Sequence, residues 1–173
     1  MRCCKKFIVV VHLLLFLSIC ILSPAYARDY KIIRGTVTKV SDGDTVIIRP
    51  FSGKLFKCRL YGIDAPEMPH NGNPGQPYGP AADRELNNLV LHTTVDITLT
   101  GDRSYDREIC IIKRMGLDIN KEMVKRGYAW AYRQYLKRPY ASEYIDAENE
   151  ARKMHRGLWQ QANPTPPWEF RRK

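Results

Sequence analysis

Two acidic segments of the sequence carry the residue types that bind a hard metal ion. Residues 42–45 read DGDT and residues 62–67 read GIDAPE, and each follows a stretch that alternates like a β-strand. Carboxylate oxygens such as those of Asp44 and Asp64 are ligands that calcium prefers, and a backbone carbonyl and waters can complete its shell. Either segment alone is more often an ordinary turn, so a calcium site requires that the two segments meet in the fold.

Two arginines are predicted to lie beside that site. Arg59 precedes the second acidic segment and lies on the opposite strand face from Cys58. Arg107 is an odd number of positions from Cys110, so it also lies on the opposite strand face from that cysteine. If the two cysteines face each other, both arginines share one side of the sheet. Two guanidinium groups near a cation suit a phosphate whose charge grows in the transition state, although a solvated strand position explains either arginine alone.

The periodicity of the chain predicts five strands and three helices. The strands are expected at residues 30–40, 45–49, 54–61, 95–99 and 107–113, and the helices at residues 81–91, 119–126 and 144–158. One helix after the third strand and two at the end favour an α+β fold, a five-stranded Greek-key barrel of the OB type. The Pro-rich tail at residues 163–173 is expected to be irregular.

The first 27 residues have the composition of an export signal. Three basic residues precede an almost wholly apolar run at residues 7–22, and residues 25–27 read AYA, which resembles a signal peptidase site. We therefore expect cleavage after Ala27 and a periplasmic or secreted product that contacts the membrane only during export. An uncleaved membrane anchor and a lipoprotein signal are the alternatives.

The remaining chain is predicted to be one basic domain with a single pair of cysteines. The formal net charge of +10 over 173 residues favours an anionic partner, which nucleic acid or a lipid surface would satisfy equally. After cleavage only Cys58 and Cys110 remain, and in an oxidising compartment they can form a disulfide. Without a CxxC pair they are poor zinc ligands. We expect a monomer with one domain at residues 28–162 and no stable protein partner.

The motifs, taken in order, resemble the staphylococcal nuclease (thermonuclease) family. They are DGDT at 42–45, RL at 59–60, GIDAPE at 62–67, YG at 78–79, YDR at 105–107 and Asn120, and the resemblance covers residues 31–159. It implies an OB-fold barrel with three helices and calcium held by Asp44, Asp64 and the carbonyl of Ala65. It further implies catalysis by Arg59, Glu67 and Arg107. Family members cut DNA and RNA endonucleolytically and leave 3′-phosphate ends.

Some positions are less firmly tied to the family pattern. Ala65 replaces the Thr of the best-known member, but a ligand supplied by the backbone does not need the hydroxyl. The resemblance implies that Glu67 is the general base, and that Tyr132 and Tyr135 lie where the family packs tyrosines against a nucleotide. Packing at the edge of the core is the alternative for both tyrosines. The loop at residues 68–79 departs from the family, which leaves substrate handling open.

Other classes of function remain to be weighed. An inactive OB module that only binds nucleic acid is disfavoured because all five side chains implied in the nuclease site are present, and a lipid-binding surface protein would not need converging carboxylates. A nuclease that used histidine as its base would need His70, for which a solvated loop position is the commoner explanation. Arg152 is expected to be an ordinary surface arginine.

Overall fold

The computed structural model describes residues 31–70, 72 and 74–172, so the predicted signal segment lies outside the described residues. The strands are β1 (Lys31–Asp42), β2 (Thr45–Pro50), β3 (Phe56–Leu60), β4 (Ile63–Asp64), β5 (Thr94–Ser104), β6 (Arg107–Arg114), β7 (Leu117–Asp118) and β8 (Trp130–Ala131). The helices are α1 (Gly79–Val90), α2 (Ile119–Lys125), α3 (Tyr140–Lys153) and α4 (Pro167–Phe170), with a 3-10 turn at Gly157–Gln160.

Five strands pair around a ring. The order β3-β2-β1-β5-β6 is antiparallel throughout, and β3 also pairs in parallel with β6, which joins the two ends of that order. Leu60 lies opposite Cys110 across this last pairing, and Lys57 lies opposite Arg107. The α+β class and the OB-type arrangement of five strands are thereby confirmed.

The strands bend and pack as their sequences predict. β1 is twelve residues long and has two register shifts against β2, and such bulges bend a strand and let it serve both sides of a small barrel. Apolar side chains fill the interior from every strand of the ring. They include Val37, Val46, Ile48, Cys58, Leu60, Val95, Ile97, Cys110 and Ile112, all buried.

The helices cover the barrel and shape the connections near its acidic loops. α1 begins with Pro80 in its first turn and buries Ala82, Leu86 and Val90. α2 is capped by Asp118, whose side chain accepts a hydrogen bond from the backbone N–H of Lys121 at 2.9 Å. Within the described residues, no helix is long and apolar enough to span a membrane.

The third helix is shorter than its periodicity suggested. α3 buries Tyr144, Ala147 and Ala151, but it ends at Lys153 because the backbone of His155 enters the left-handed region at φ 49°. Leu158 therefore reaches the core from the 3-10 turn rather than from a continuous helix. The tail prediction was also wrong, because residues 167–170 form the helical turn α4.

Cys58 and Cys110 are joined by a disulfide across the β3–β6 pairing. Their Cα atoms are 5.9 Å apart, both side chains are fully buried, and the two residues are separated by 52 positions in the sequence. The bond therefore ties together the two strands whose pairing completes the ring.

We predict that reduction will destabilise the protein. Opening a loop of this length should lower the free energy of unfolding by about 4 kcal/mol in the chain-entropy account, which denaturant unfolding with and without reductant can measure. A Cys58→Ala/Cys110→Ala double variant is the control, because its stability should not respond to reductant. Two free thiols in unfolded, unreduced protein would contradict the pairing.

Candidate active site

The two acidic segments meet where β1 turns into β2. The backbone N–H of Asp44 donates to the carboxylate of Asp42 at 3.0 Å, which shapes the turn. A Cβ atom at Gly43 would lie 2.7 Å from the Cβ atoms of both Ala65 and Ala82. The absence of a side chain at Gly43 therefore lets this turn pack against the second acidic segment and α1.

The guanidinium of Arg59 lies between the carboxylates of Asp44 and Asp64. Its Nη1 donates to Oδ1 of Asp44, and its Nη2 donates to Oδ1 of Asp64 at 2.6 Å. Asp44 and Asp64 are 3% and 0% exposed, so water does little to screen their charges. One cation thus holds two buried carboxylates from different connections in a single cluster.

Further hydrogen bonds orient the Asp44 carboxylate. Thr45 Oγ1 donates to Oδ1 at 3.1 Å, and the backbone N–H of Ala65 donates to Oδ2 at 3.0 Å. The second of these places the Ala65 backbone beside Asp44, where the sequence predicted a backbone ligand.

The donor chemistry of this cluster fits a calcium ion. Asp44 and Asp64 offer hard carboxylate oxygens, and a backbone carbonyl and waters can complete the irregular shell that calcium accepts. In the part of the chain that the structure describes, no group of three or more His, Cys, Asp or Glu side chains forms a metal cluster by itself. Asp44 and Asp64 are the two carboxylates that Arg59 brings together.

Burial disfavours the charged forms of two carboxyl groups in the acidic cluster. Burial raises the pKa of the Asp64 carboxyl above its usual range, and the charge of Asp44 adds to the rise although Arg171 and Arg59 oppose it. Burial and the neighbouring Asp44 raise the pKa of Asp42 to about 7. A further cation would favour the ionised form of each carboxylate.

Arg107 lies in the same cleft as Arg59, as the strand parity predicted. Its guanidinium donates to neutral oxygens, namely Ser104 O at 3.4 Å, Ser104 Oγ at 3.1 Å and Thr45 Oγ1 at 3.4 Å. The cleft measures about 840 Å³ and is also lined by Glu67. The hydrogen bonds of the Arg107 guanidinium thus go to neutral groups, whereas those of Arg59 go to carboxylates.

Glu67 is fixed through its backbone by Gln76. The Glu67 N–H donates to the side-chain oxygen of Gln76 at 3.0 Å, and the Gln76 N–H donates to the Glu67 carbonyl at 2.9 Å. The carboxylate of Glu67 accepts a hydrogen bond from Arg171 at 2.5 Å. Neither Gln76 nor Arg171 was predicted, because both lie in loop or tail sequence that has no periodicity.

Tyr132 and Tyr135 line the cleft, with ring centroids 4.7 Å apart in an edge-to-face contact. The ring of Tyr132 is also stacked by Trp168, at a centroid distance of 5.1 Å and an interplanar angle of 4°. His70 is exposed and is not among the residues that line the cleft, so the structure gives the histidine alternative no support.

Arg152 is not the ordinary surface arginine that the sequence suggested. Its guanidinium lies over the ring of Trp159 at 3.7 Å and over that of Trp130 at 4.7 Å. It also donates to the buried carboxylate of Glu148 at 2.5 and 2.8 Å. Arg152 therefore contributes to packing and is unsuitable as an inert control position.

Asn120 holds together the strand ends that carry the site. Its side-chain amide donates to the carbonyls of Tyr61 and Cys110 at 3.1 and 3.0 Å, and its oxygen accepts from the N–H of Ile112 at 3.1 Å. The residue is fully buried. It thereby fixes the chain between β3 and β4, just before Asp64.

Comparison with known proteins shows sequence similarity over most of the chain. The family described as "Staphylococcal nuclease homologue" matches residues 57–161. A Haemophilus influenzae protein named "Uncharacterized endonuclease" is 37% identical over 136 residues, which covers 79% of this chain and 71% of that protein. A Shigella flexneri protein named "Micrococcal nuclease" is 34% identical over 158 residues, which covers 86% and 84% of the two chains.

We predict that Asn120→Ala will destabilise the fold. The change removes the hydrogen bonds from Asn120 to the Tyr61 carbonyl and from the Ile112 N–H to Asn120, and one of the two that the Cys110 carbonyl accepts, which should lower the free energy of unfolding by about 3 kcal/mol. Denaturant unfolding measures the loss. Asn88→Ala, at an exposed position of α1, is the matched control and should change stability by less than about 0.5 kcal/mol. Equal stability of the two variants would contradict the role of Asn120.

Proposed function

The chain belongs to the staphylococcal nuclease family and is a nuclease, and on this premise we propose that it requires calcium and cuts both DNA and RNA. The proposed reaction is endonucleolytic, has little regard for sequence and leaves 3′-phosphate ends. The observation that carries it is the contact of Arg59 with Asp44 and Asp64, beside a cleft that Arg59 lines together with Glu67 and Arg107.

Calcium held by Asp44, Asp64 and the Ala65 carbonyl would supply a positive charge that neutralises the phosphate and favours deprotonation of water. The buried carboxylates support this assignment, because burial disfavours the charged form of Asp64 and a bound cation would stabilise that form. The proposed ligand set consists only of oxygen atoms, which favours calcium over zinc.

The side chains around the cluster can perform the remaining steps. Glu67 accepts a proton from the attacking water, while Arg59 and Arg107 bind the phosphate oxygens as negative charge grows on them. The water oxygen bonds to phosphorus while the bond from phosphorus to the 5′ oxygen breaks. Arg107 hydrogen-bonds that oxygen as it leaves, and the oxygen takes up a proton from solvent. The phosphate then stays on the 3′ side, which accounts for the proposed product.

The aromatic residues of the cleft suit a substrate with unpaired bases. Tyr132 and Tyr135 lie beside the acidic cluster, and stacking on an aromatic ring does not depend on the identity of the base. This explains how one cleft would accept DNA and RNA. The proposal has the protein act as a monomer that needs no stable protein partner.

Export is part of the same proposal. The basic and then apolar composition of residues 1–27 supports cleavage after Ala27, and the buried cysteine pair suits an oxidising compartment. The mature protein would be periplasmic or secreted and would meet the membrane only in transit.

We predict that cleavage requires calcium. Plasmid DNA and RNA incubated with the mature protein should be cut in calcium and left intact in excess chelator. Magnesium should support a rate at least about tenfold lower, because its small octahedral shell fits a flexible carboxylate site poorly. Full cleavage in chelator would contradict the prediction. Binding without cleavage under every condition would instead favour the inactive nucleic-acid-binding module.

We predict that Arg107→Lys will impair the chemical step more than substrate binding. Lysine retains the charge but lacks the planar fork, so kcat should fall by about a hundredfold while KM changes little. Steady-state kinetics of this variant and of a control variant of equal stability measure the effect. Arg49→Lys is the control, because Arg49 is an exposed strand arginine that does not line the cleft. Equal kcat values in the two variants would remove Arg107 from the active site.

A further inference from the structure

The last described residues of the chain, 163–172, lie across the active-site cleft, and we name them the C-terminal segment. The side-chain amide of Gln76 donates to the carbonyl of Thr165 at 2.9 Å. Pro167 is buried, and the ring of Trp168 contacts Trp130 edge-on at 5.5 Å and stacks on Tyr132 at 5.1 Å. These contacts hold the C-terminal segment in place beside the acidic cluster.

The helical turn α4 presents Arg171 to the acidic cluster. The N–H of Arg171 donates to the carbonyl of Pro167 at 3.0 Å, which fixes where its side chain starts. Its guanidinium donates to both oxygens of Asp64, with Nη2 to Oδ2 at 2.8 Å and Nη1 to Oδ1 at 3.2 Å. Nη1 also donates to Glu67 at 2.5 Å.

These contacts use the atoms that the proposed reaction needs. Both Asp64 oxygens accept hydrogen bonds from arginines, since Oδ1 is shared by Arg59 and Arg171 while Oδ2 accepts from Arg171. Glu67, the proposed base, is neutralised by the same guanidinium. Arg171 would compete with a calcium ion for Asp64, because both cations would use lone pairs of the same carboxylate.

The C-terminal segment also covers the aromatic part of the cleft. The nearly parallel ring of Trp168 occupies one face of Tyr132, the residue proposed to stack on a base. The segment therefore contacts the metal carboxylates and the nucleotide-binding ring at the same time. Arg171 contacts Asp64 and Trp168 contacts Tyr132, so one short segment covers two groups that the proposed reaction would use.

We propose that the C-terminal segment is an autoinhibitory element in which Arg171 competes with calcium for Asp64. The inference rests on the calcium dependence proposed above. Calcium must displace Arg171 before the site is complete, so the segment raises the calcium concentration at which the enzyme becomes active. A nucleic acid that displaces Trp168 from Tyr132 would weaken the hold on Arg171 and so increase calcium affinity, and by reciprocity calcium would favour substrate binding.

Calcium binding measured by calorimetry without nucleic acid tests the proposal. Arg171→Gln should lower the calcium Kd by about tenfold, because a partly exposed, charge-assisted ion pair is removed. Arg172→Gln is the matched control, since it removes the same charge from the neighbouring exposed residue and should leave the Kd within about twofold of the native value. Arg171→Lys should give an intermediate Kd, because lysine cannot donate from a fork.

Each outcome decides the question. A calcium Kd that is about tenfold lower in Arg171→Gln but not in Arg172→Gln supports the competition. Circular dichroism would show that the variants are folded. A Kd that is equal in the two glutamine variants, or weaker in Arg171→Gln, overturns it while leaving a calcium-dependent nuclease in place. Absence of calcium binding in all proteins, with cleavage that resists chelator, would overturn both this inference and the calcium requirement.

Discussion

The active site depends on one guanidinium placed between two buried carboxylates. Asp44 and Asp64 come from different connections of the barrel, and their like charges would repel at low dielectric without Arg59 between them. Loss of either partner from such a cluster leaves an uncompensated buried charge, which typically costs about 3–5 kcal/mol. The same arrangement that holds the turns together thus concentrates the negative charge that a metal ion can use.

The pairing of β3 with β6 determines which arginines meet. Arg59 lies in β3 and Arg107 in β6, so their common cleft exists only because these strands are neighbours. The disulfide between Cys58 and Cys110 and the buried amide of Asn120 both bridge this same region. The disulfide, the pairing of the two strands and the hydrogen bonds of Asn120 therefore all stabilise the geometry on which phosphate binding would rely.

The aromatic side chains next to the cleft give the C-terminal segment a surface on which to dock. Trp130 contacts both Trp159 and Trp168 edge-on, and Arg152 lies over two of these rings. Docking places Arg171 within reach of the buried carboxylate of Asp64. Packing of apolar rings and attraction between charges thus act together in positioning the C-terminal segment.

Sequence by itself determined the succession of the five main strands along the chain, the turn at Gly43, the parity of Arg59 and Arg107 and the family pattern. These features are local or periodic, and alternation and turn chemistry report them directly. Tertiary structure alone decided that α3 stops at Lys153, that Gln76 holds Glu67 and that Arg152 packs on tryptophans. It also decided the contact of Arg171 with Asp64, 107 positions away in the chain. Such contacts join segments that are far apart in the sequence, and they depend on tertiary packing that no local pattern of residues predicts.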